Sequence, residues 1–147
     1  MKDIPVGASA ELTYTVTPDK TVPRTYAEFA EFADMPAVFA TGLMVTLLEA
    51  CCQKAILPYL DWPREMSVGT QVNFAHLAAT PPGMTIRVQA EVIAVQGRKI
   101  SFRAVAQDEF DPVAEGTHER HVIDAARFNA RVADKTARSR RGKVPGP

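Results

Sequence analysis

From Leu43 to about residue 60 the apolar positions follow a helical period, and from there to about residue 123 a strand period. Between Leu43 and Ile56, the residues Met44, Leu47, Leu48, Cys51 and Ala55 recur at steps of three and four, which stacks them on one helical face. Leu43, Val45, Cys52 and Ile56 fill most of the other faces, and a helix apolar almost all round is expected to be enclosed by its fold. Asp34 followed by Pro36, and Thr41-Gly42 a little later, are both candidate starts, while Pro58 and Pro63 close the stretch. In 66–77, Met66, Val68, Thr70, Val72, Phe74 and His76 share one face, and Ser67, Gly69, Gln71, Asn73 and Ala75 the other. Ile86, Val88, Ala90 and Val92 alternate with Arg87, Gln89 and Glu91 in 84–95, and Ile100, Phe102, Ala104 and Ala106 do the same in 99–107. Residues 113–123 form the last strand.

Turn signals separate these runs: Thr80-Pro81-Pro82-Gly83, the tight Gln96-Gly97 and the segment Asp108–Pro112. Ahead of the helix, 9–17 alternates moderately and predicts a first strand ended by Pro18-Asp19. Residues 20–35 have no clean period; Pro23 interrupts them and Tyr26, Phe29 and Phe32 recur every third position, which predicts a short helical or irregular flap. A short terminal helix over 124–136 leads into 137–147, a basic Gly/Pro-bearing tail expected to be disordered. One strand, one long helix and four strands joined by short turns predict an antiparallel meander with one covered face. Wrapping it around the helix hides the apolar run, so the expectation is an α+β domain over 1–136.

At 147 residues the chain suits one domain, able to bury roughly 70% of its unfolded surface. Formal net charge is zero, which points to neither nucleic acid nor an anionic membrane as partner. With no uninterrupted apolar run of membrane-spanning length and no apolar leader core in MKDIPVGASAE, a cytoplasmic location is expected. Cys51 and Cys52 are adjacent on a helix and point about 100° apart, poorly placed to bridge each other. They read as small buried hydrophobes in a reducing compartment.

Glu49 is the one carboxylate in the apolar helix. It either forms a narrow wetted stripe with Thr46 and Gln53 or is paired and used. His76, on a strand face with Val72 and Phe74, is either a hydrogen-bonded core residue or an acid–base partner brought toward Glu49. Thr41 is placed to cap the helix; in one straight helix it would stand about 12 Å from Glu49 along the axis. Joining them in one site therefore needs a bend at Gly42 or residues from two subunits. Gly42 would let amides at the helix start approach an oxyanion, and Gly69 is a second point of close backbone approach. Arg120 reads equally as a phosphate contact or a carboxylate partner. His118 and His121 lie three apart in a strand, on opposite faces, so no metal site is expected there.

The runs VFATGLMVTLLEA, VGT followed by FAHLAATPPG, and GTHERHVID together resemble the hot-dog-fold thioesterases of the fluoroacetyl-CoA thioesterase type, from about Gly7 to Lys135. The resemblance implies a hot-dog fold and hydrolysis of a short acyl-CoA by a threonine, a glutamate and a histidine. These fall on Thr41, Glu49 and His76, with no metal or organic cofactor. It also implies a homodimer with its acyl-thioester sites at the subunit interface. Met35 stands just before the proline, where the fluoroacetyl enzyme has a phenylalanine, so a flexible thioether replaces a rigid ring at a position bearing on fluorine selectivity. Two rival classes share the fold: a non-catalytic acyl-CoA-binding protein and an enoyl-CoA hydratase-type lyase.

Overall fold

The computed structural model describes residues 1–142 and contains, in chain order, β1 (Ser9–Thr15), α1 (Ala30–Ala33), α2 (Thr41–Ile56), β2 (Glu65–His76), β3 (Thr85–Gln96), β4 (Lys99–Gln107), β5 (Pro112–Asp124) and α3 (Ala125–Arg141). The strands form one antiparallel sheet in the order β1-β3-β4-β5-β2, laid around α2. This is the hot-dog arrangement of a five-stranded sheet and a central helix. Short 3-10 turns at Pro18–Lys20 and Val22–Arg24, together with α1, make up the aperiodic flap.

Strand alternation becomes burial directly. Ile86, Val88, Ala90 and Val92 of β3 and Ile100, Phe102, Ala104 and Ala106 of β4 are buried, while Arg87, Gln89, Glu91 and Arg103 between them are exposed. Against this face α2 buries Met44, Leu48, Cys51, Cys52, Ala55 and Ile56. Each large aliphatic side chain removed from water in this way contributes roughly 1.5–3 kcal/mol. The helix is not enclosed all round, however: Leu43, Val45 and Leu47 on its other flank are half-buried.

The connectivity departs from a simple meander. β3, β4 and β5 are neighbours as expected, but β2 pairs with β5 at the far edge, and β1 takes the place beside β3. Residues 77–84 carry the chain across the end of the sheet. Leu77 N–H donates to Val113 O at one side, and Gly83 N–H donates to Val16 O at the other. Three inter-strand steps amount to about 14 Å. Eight residues span that easily at up to roughly 3.3 Å each, so the Thr80–Gly83 turn signal marks a crossing rather than a hairpin.

β2 also breaks its expected alternation. Gly69 lies opposite Arg120 and Gln71 opposite Glu119, so an extra residue, Thr70, bulges out of the ladder. Ser67 and Gly69 face inward before the bulge; Val72, Phe74 and His76 face inward after it, opposite His118, Gly116 and Ala114. The single continuous face expected for 66–76 is therefore two half-faces of opposite parity.

α3 starts at the Asp124 cap, whose Oδ1 accepts from Arg127 N–H at 3.0 Å. It runs on to Arg141, so 137–141 are helical rather than part of a disordered tail. Ala137, Arg138, Arg140 and Arg141 are good helix formers, and the arginines sit where the helix dipole favours cations. The remaining tail residues, 143–147, lie outside the described residues. None of the described helices is long and apolar enough to cross a membrane.

Candidate active site

Two polar clusters sit on α2, one at its first residue and one halfway along. At the first, Ala40 occupies the cap position and offers no side-chain oxygen, and the Thr41 hydroxyl does not cap the helix. Instead Thr41 Oγ1 lies 2.8 Å from Nδ1 of His76, the last residue of β2. His76 Nε2 is buried and has no hydrogen-bond partner among the described residues. The first helical hydrogen bond runs from Met44 N–H to Ala40 O at 2.9 Å, so the amides of Thr41, Gly42 and Leu43 stand ahead of the ladder. A cleft of about 680 Å³ opens beside them, walled by Val22, Tyr26, Phe32 and Leu43, with Lys20 and Arg24 at its edge. That volume lies within the range of small-molecule sites.

The second cluster is built on Arg120 of β5, which is 7% exposed. Its five N–H donors meet five acceptors. Nε donates to Ser67 Oγ (2.8 Å), Nη1 to Glu49 Oε1 (3.2 Å) and to His118 Nε2 (3.1 Å), and Nη2 to Gln53 Oε1 (3.1 Å) and Ser67 O (2.9 Å). Burial lowers the arginine's pKa and the Glu49 carboxylate opposes that shift. The guanidinium nonetheless stays charged at any working pH. Glu49 is thus the paired carboxylate, with part of its side chain open to solvent. Gly69 of β2 lies directly beneath: a β-carbon there would collide with Glu49 Oε1.

The two clusters do not meet within one chain. α2 is continuous from Thr41 to Ile56, without a bend at Gly42, and eight residues of helix separate Thr41 from Glu49 by about 12 Å of rise. The expectation that His76 comes within reach of Glu49 is therefore not met inside a protomer. His76 is joined to Thr41, and Glu49 to Arg120. Arg120 spends all its donors on protein acceptors, which fits the carboxylate-partner reading rather than the phosphate one. Met35 is exposed on the flap and is not among the residues walling the cleft. Thr46 bonds back to Gly42 O, whereas Gln53 joins the arginine network, so the wetted stripe is only partly realised.

His118 went unassigned in the sequence beyond the argument that it and His121 face opposite ways. They do: His118 is buried and His121 is exposed. The same parity sets His118, Arg120 and Val122 on one face, and read further it is the signal that finds His118 as an interior neighbour of Arg120. Cys51 and Cys52 are free and buried; burial raises both thiols, Cys52 to about 12, which leaves them unreactive.

Residues 16–126 match the family model described as fluoroacetyl-CoA-specific thioesterase. The fluoroacetyl-CoA thioesterase of Streptantibioticus cattleyicolor is 49% identical over 137 residues, 92% of this chain and 98% of that protein. The solved structure of the fluoroacetyl-CoA thioesterase FlK superposes with a TM-score of 0.87 at 44% identity, covering 98% of this chain and 100% of the other. Further FlK structures are variants in complex with acetyl-CoA, or with fluoroacetate and CoA. A Thermus thermophilus protein described as a thioesterase superfamily member gives a TM-score of 0.86 at 31% identity over 97% of this chain and 100% of that one.

Proposed function

The chain belongs to the fluoroacetyl-CoA-specific thioesterase family and is a thioester hydrolase on the hot-dog fold, and from that premise we propose how its residues act on a short acyl-CoA. The observation that carries the reading is the Thr41–His76 hydrogen bond at the rim of the cleft, with His76 Nε2 left free for a proton. Thr41 positions the thioester carbonyl or the attacking water. The amides of Thr41, Gly42 and Leu43 take the charge that develops on the carbonyl oxygen. Glu49 is the nucleophile or the base that activates water, and His76 assists proton transfer as the thiolate leaves. A thiolate leaves readily, so the chemistry calls for no metal or organic cofactor.

The 12 Å between Thr41 and Glu49 supports a site that joins Thr41 and His76 of one protomer to Glu49 of a second copy. A homodimer is also supported by β2, an edge strand with an unpaired flank, and by Val72, which faces inward opposite His118 yet is 50% exposed in a single chain. The flap residues Val22, Tyr26 and Phe32 give the cleft beside Thr41 an apolar wall suited to a short acyl group. The unbridged, buried cysteines suit the cytoplasm.

Purified protein supplied with acetyl-, propionyl- and fluoroacetyl-CoA, with free thiol followed by a thiol reagent, tests this reading directly. Thiol release is the expected result. Binding without turnover would replace it with an acyl-CoA-binding role, and loss of the conjugated double bond of crotonyl-CoA without thiol release would replace it with a hydratase.

A further inference from the structure

We propose that His118 is a positioning residue whose neutral imidazole holds the Arg120 guanidinium in place for Glu49 without consuming the arginine's charge. The inference rests on the reading of Glu49 as the reacting carboxylate. It is carried by two contacts of one buried ring. His118 Nδ1 lies 2.7 Å from Gln71 O, and a carbonyl only accepts, so the proton sits on Nδ1. Nε2 is then a bare lone pair, and it faces Arg120 Nη1, which only donates, at 3.1 Å. Both nitrogens are satisfied by one tautomer, and that tautomer is uncharged. Glu49 Oε1 is 3.5 Å from the same Nε2, but with no proton between them this is not an ion pair; Arg120 Nη1 bridges the two acceptors.

The charged groups acting on the ring are Glu49 from α2, Arg120 from the same face of β5 and, from the opposite face of that strand, Glu119; β2 offers the Gln71 carbonyl, and β4 the Phe102 ring. Burial, helped by Arg120, disfavours protonation, while the Gln71 bond and the two carboxylates oppose that effect. A carboxylate in place of His118 would also accept from Nη1. It would neutralise the guanidinium, however, and leave Glu49 facing a second negative charge. A neutral acceptor fixes the geometry and leaves the positive charge to Glu49. The ring packs with its centroid 5.9 Å from that of Phe74 and 6.2 Å from that of Phe102. The pocket is therefore shaped for an aromatic ring, whatever its polarity.

That shape supplies the test. His118→Phe keeps the ring packing and removes the acceptor, whereas His118→Gln returns an oxygen close to the position of Nε2. We expect kcat/KM for acetyl-CoA to fall about tenfold or more in His118→Phe, mostly in kcat, and to recover substantially in His118→Gln. Long-range proton–nitrogen NMR of the wild-type protein is expected to show His118 as the neutral Nδ1–H tautomer, and the Arg120 Nε–H signal is expected to shift or broaden in His118→Phe. Wild-type kinetics in His118→Phe would overturn the proposal. So would an imidazolium or an Nε2–H tautomer at pH 7, or equal losses of activity and melting temperature in both variants. If wild-type protein releases no thiol from any acyl-CoA, the hydrolase reading fails, and the NMR measurements still decide whether His118 holds Arg120.

Discussion

Gly69 and Glu49 are in such close approach that a β-carbon at position 69 would overlap Glu49 Oε1 and stand 3.2 Å from His118 Cε1, so the carboxylate would have to move. The glycine sets how far the carboxylate reaches toward the sheet and keeps it on Arg120. Gly69→Ala is expected to displace the carboxylate and lower kcat/KM about tenfold or more, with little loss of stability because what moves is the part-exposed end of a flexible side chain. Steady-state kinetics with a thermal melt checks both; an alanine variant as active as wild type would show that Glu49 has no fixed role.

Glu49→Gln preserves the side-chain shape and still offers Arg120 an oxygen acceptor. The expected outcome is a folded protein with activity reduced by about 10²–10⁴. An unchanged rate would remove Glu49 from the chemistry.

Thr41 provides a contrast between hydroxyl and helix. Since its oxygen bonds His76 and does not cap α2, Thr41→Ala should leave the melting temperature nearly unchanged while lowering kcat/KM by roughly ten- to a hundredfold. Thr41→Ser, which keeps the hydroxyl, should retain most of the activity. Parallel loss in both variants would contradict the positioning role.

A site shared between subunits makes a prediction that an intrachain site does not. Glu49→Gln and His76→Ala are each expected to be inactive alone. Unfolded together and refolded as a mixture, they would form heterodimers in which one of the two sites has every wild-type residue. With random pairing this restores about a quarter of wild-type activity. No recovery, with heterodimers confirmed by mass spectrometry, would place the whole site within one chain.

His118 also links stability to pH. Its folded pKa lies below the ordinary histidine value because burial disfavours the charged ring. The unfolded chain therefore takes up this proton first, and stability is full above about pH 6.5 and is lost as pH falls below that value. Melting temperature should decline as pH falls below about 6.5 in the wild type. The decline should be smaller in His118→Phe, and equal slopes would refute the linkage.

Most of the sheet was legible because β3 and β4 are buried on one face only, so Ile86 to Val92 and Ile100 to Ala106 write their orientation in plain alternation. β2 was not, for two reasons. A turn signal reports that the chain changes direction but not how far it travels, which hid the crossing of 77–84. A bulge is a one-residue event with no strong composition of its own, which hid the change of face at Thr70. Thr41, Glu49 and His76 could be singled out as residues, yet their grouping could not: Thr41 with His76, and Glu49 with Arg120, depend on where β2 lies and on the uninterrupted run of α2. The arginine's other partners, Ser67 and Gln53, looked like ordinary surface polar residues because neither spacing nor composition announces a shared acceptor.

The extra residue at Thr70 has a consequence for anyone re-engineering this strand. Gly69 and His76 are seven positions apart, an odd number, which in a regular strand would send one into the interior and the other into solvent. The bulge cancels that odd count and lets a single edge strand serve both polar clusters. Shortening β2 by one residue at Thr70 would keep every functional side chain in the sequence and turn half of them inside out.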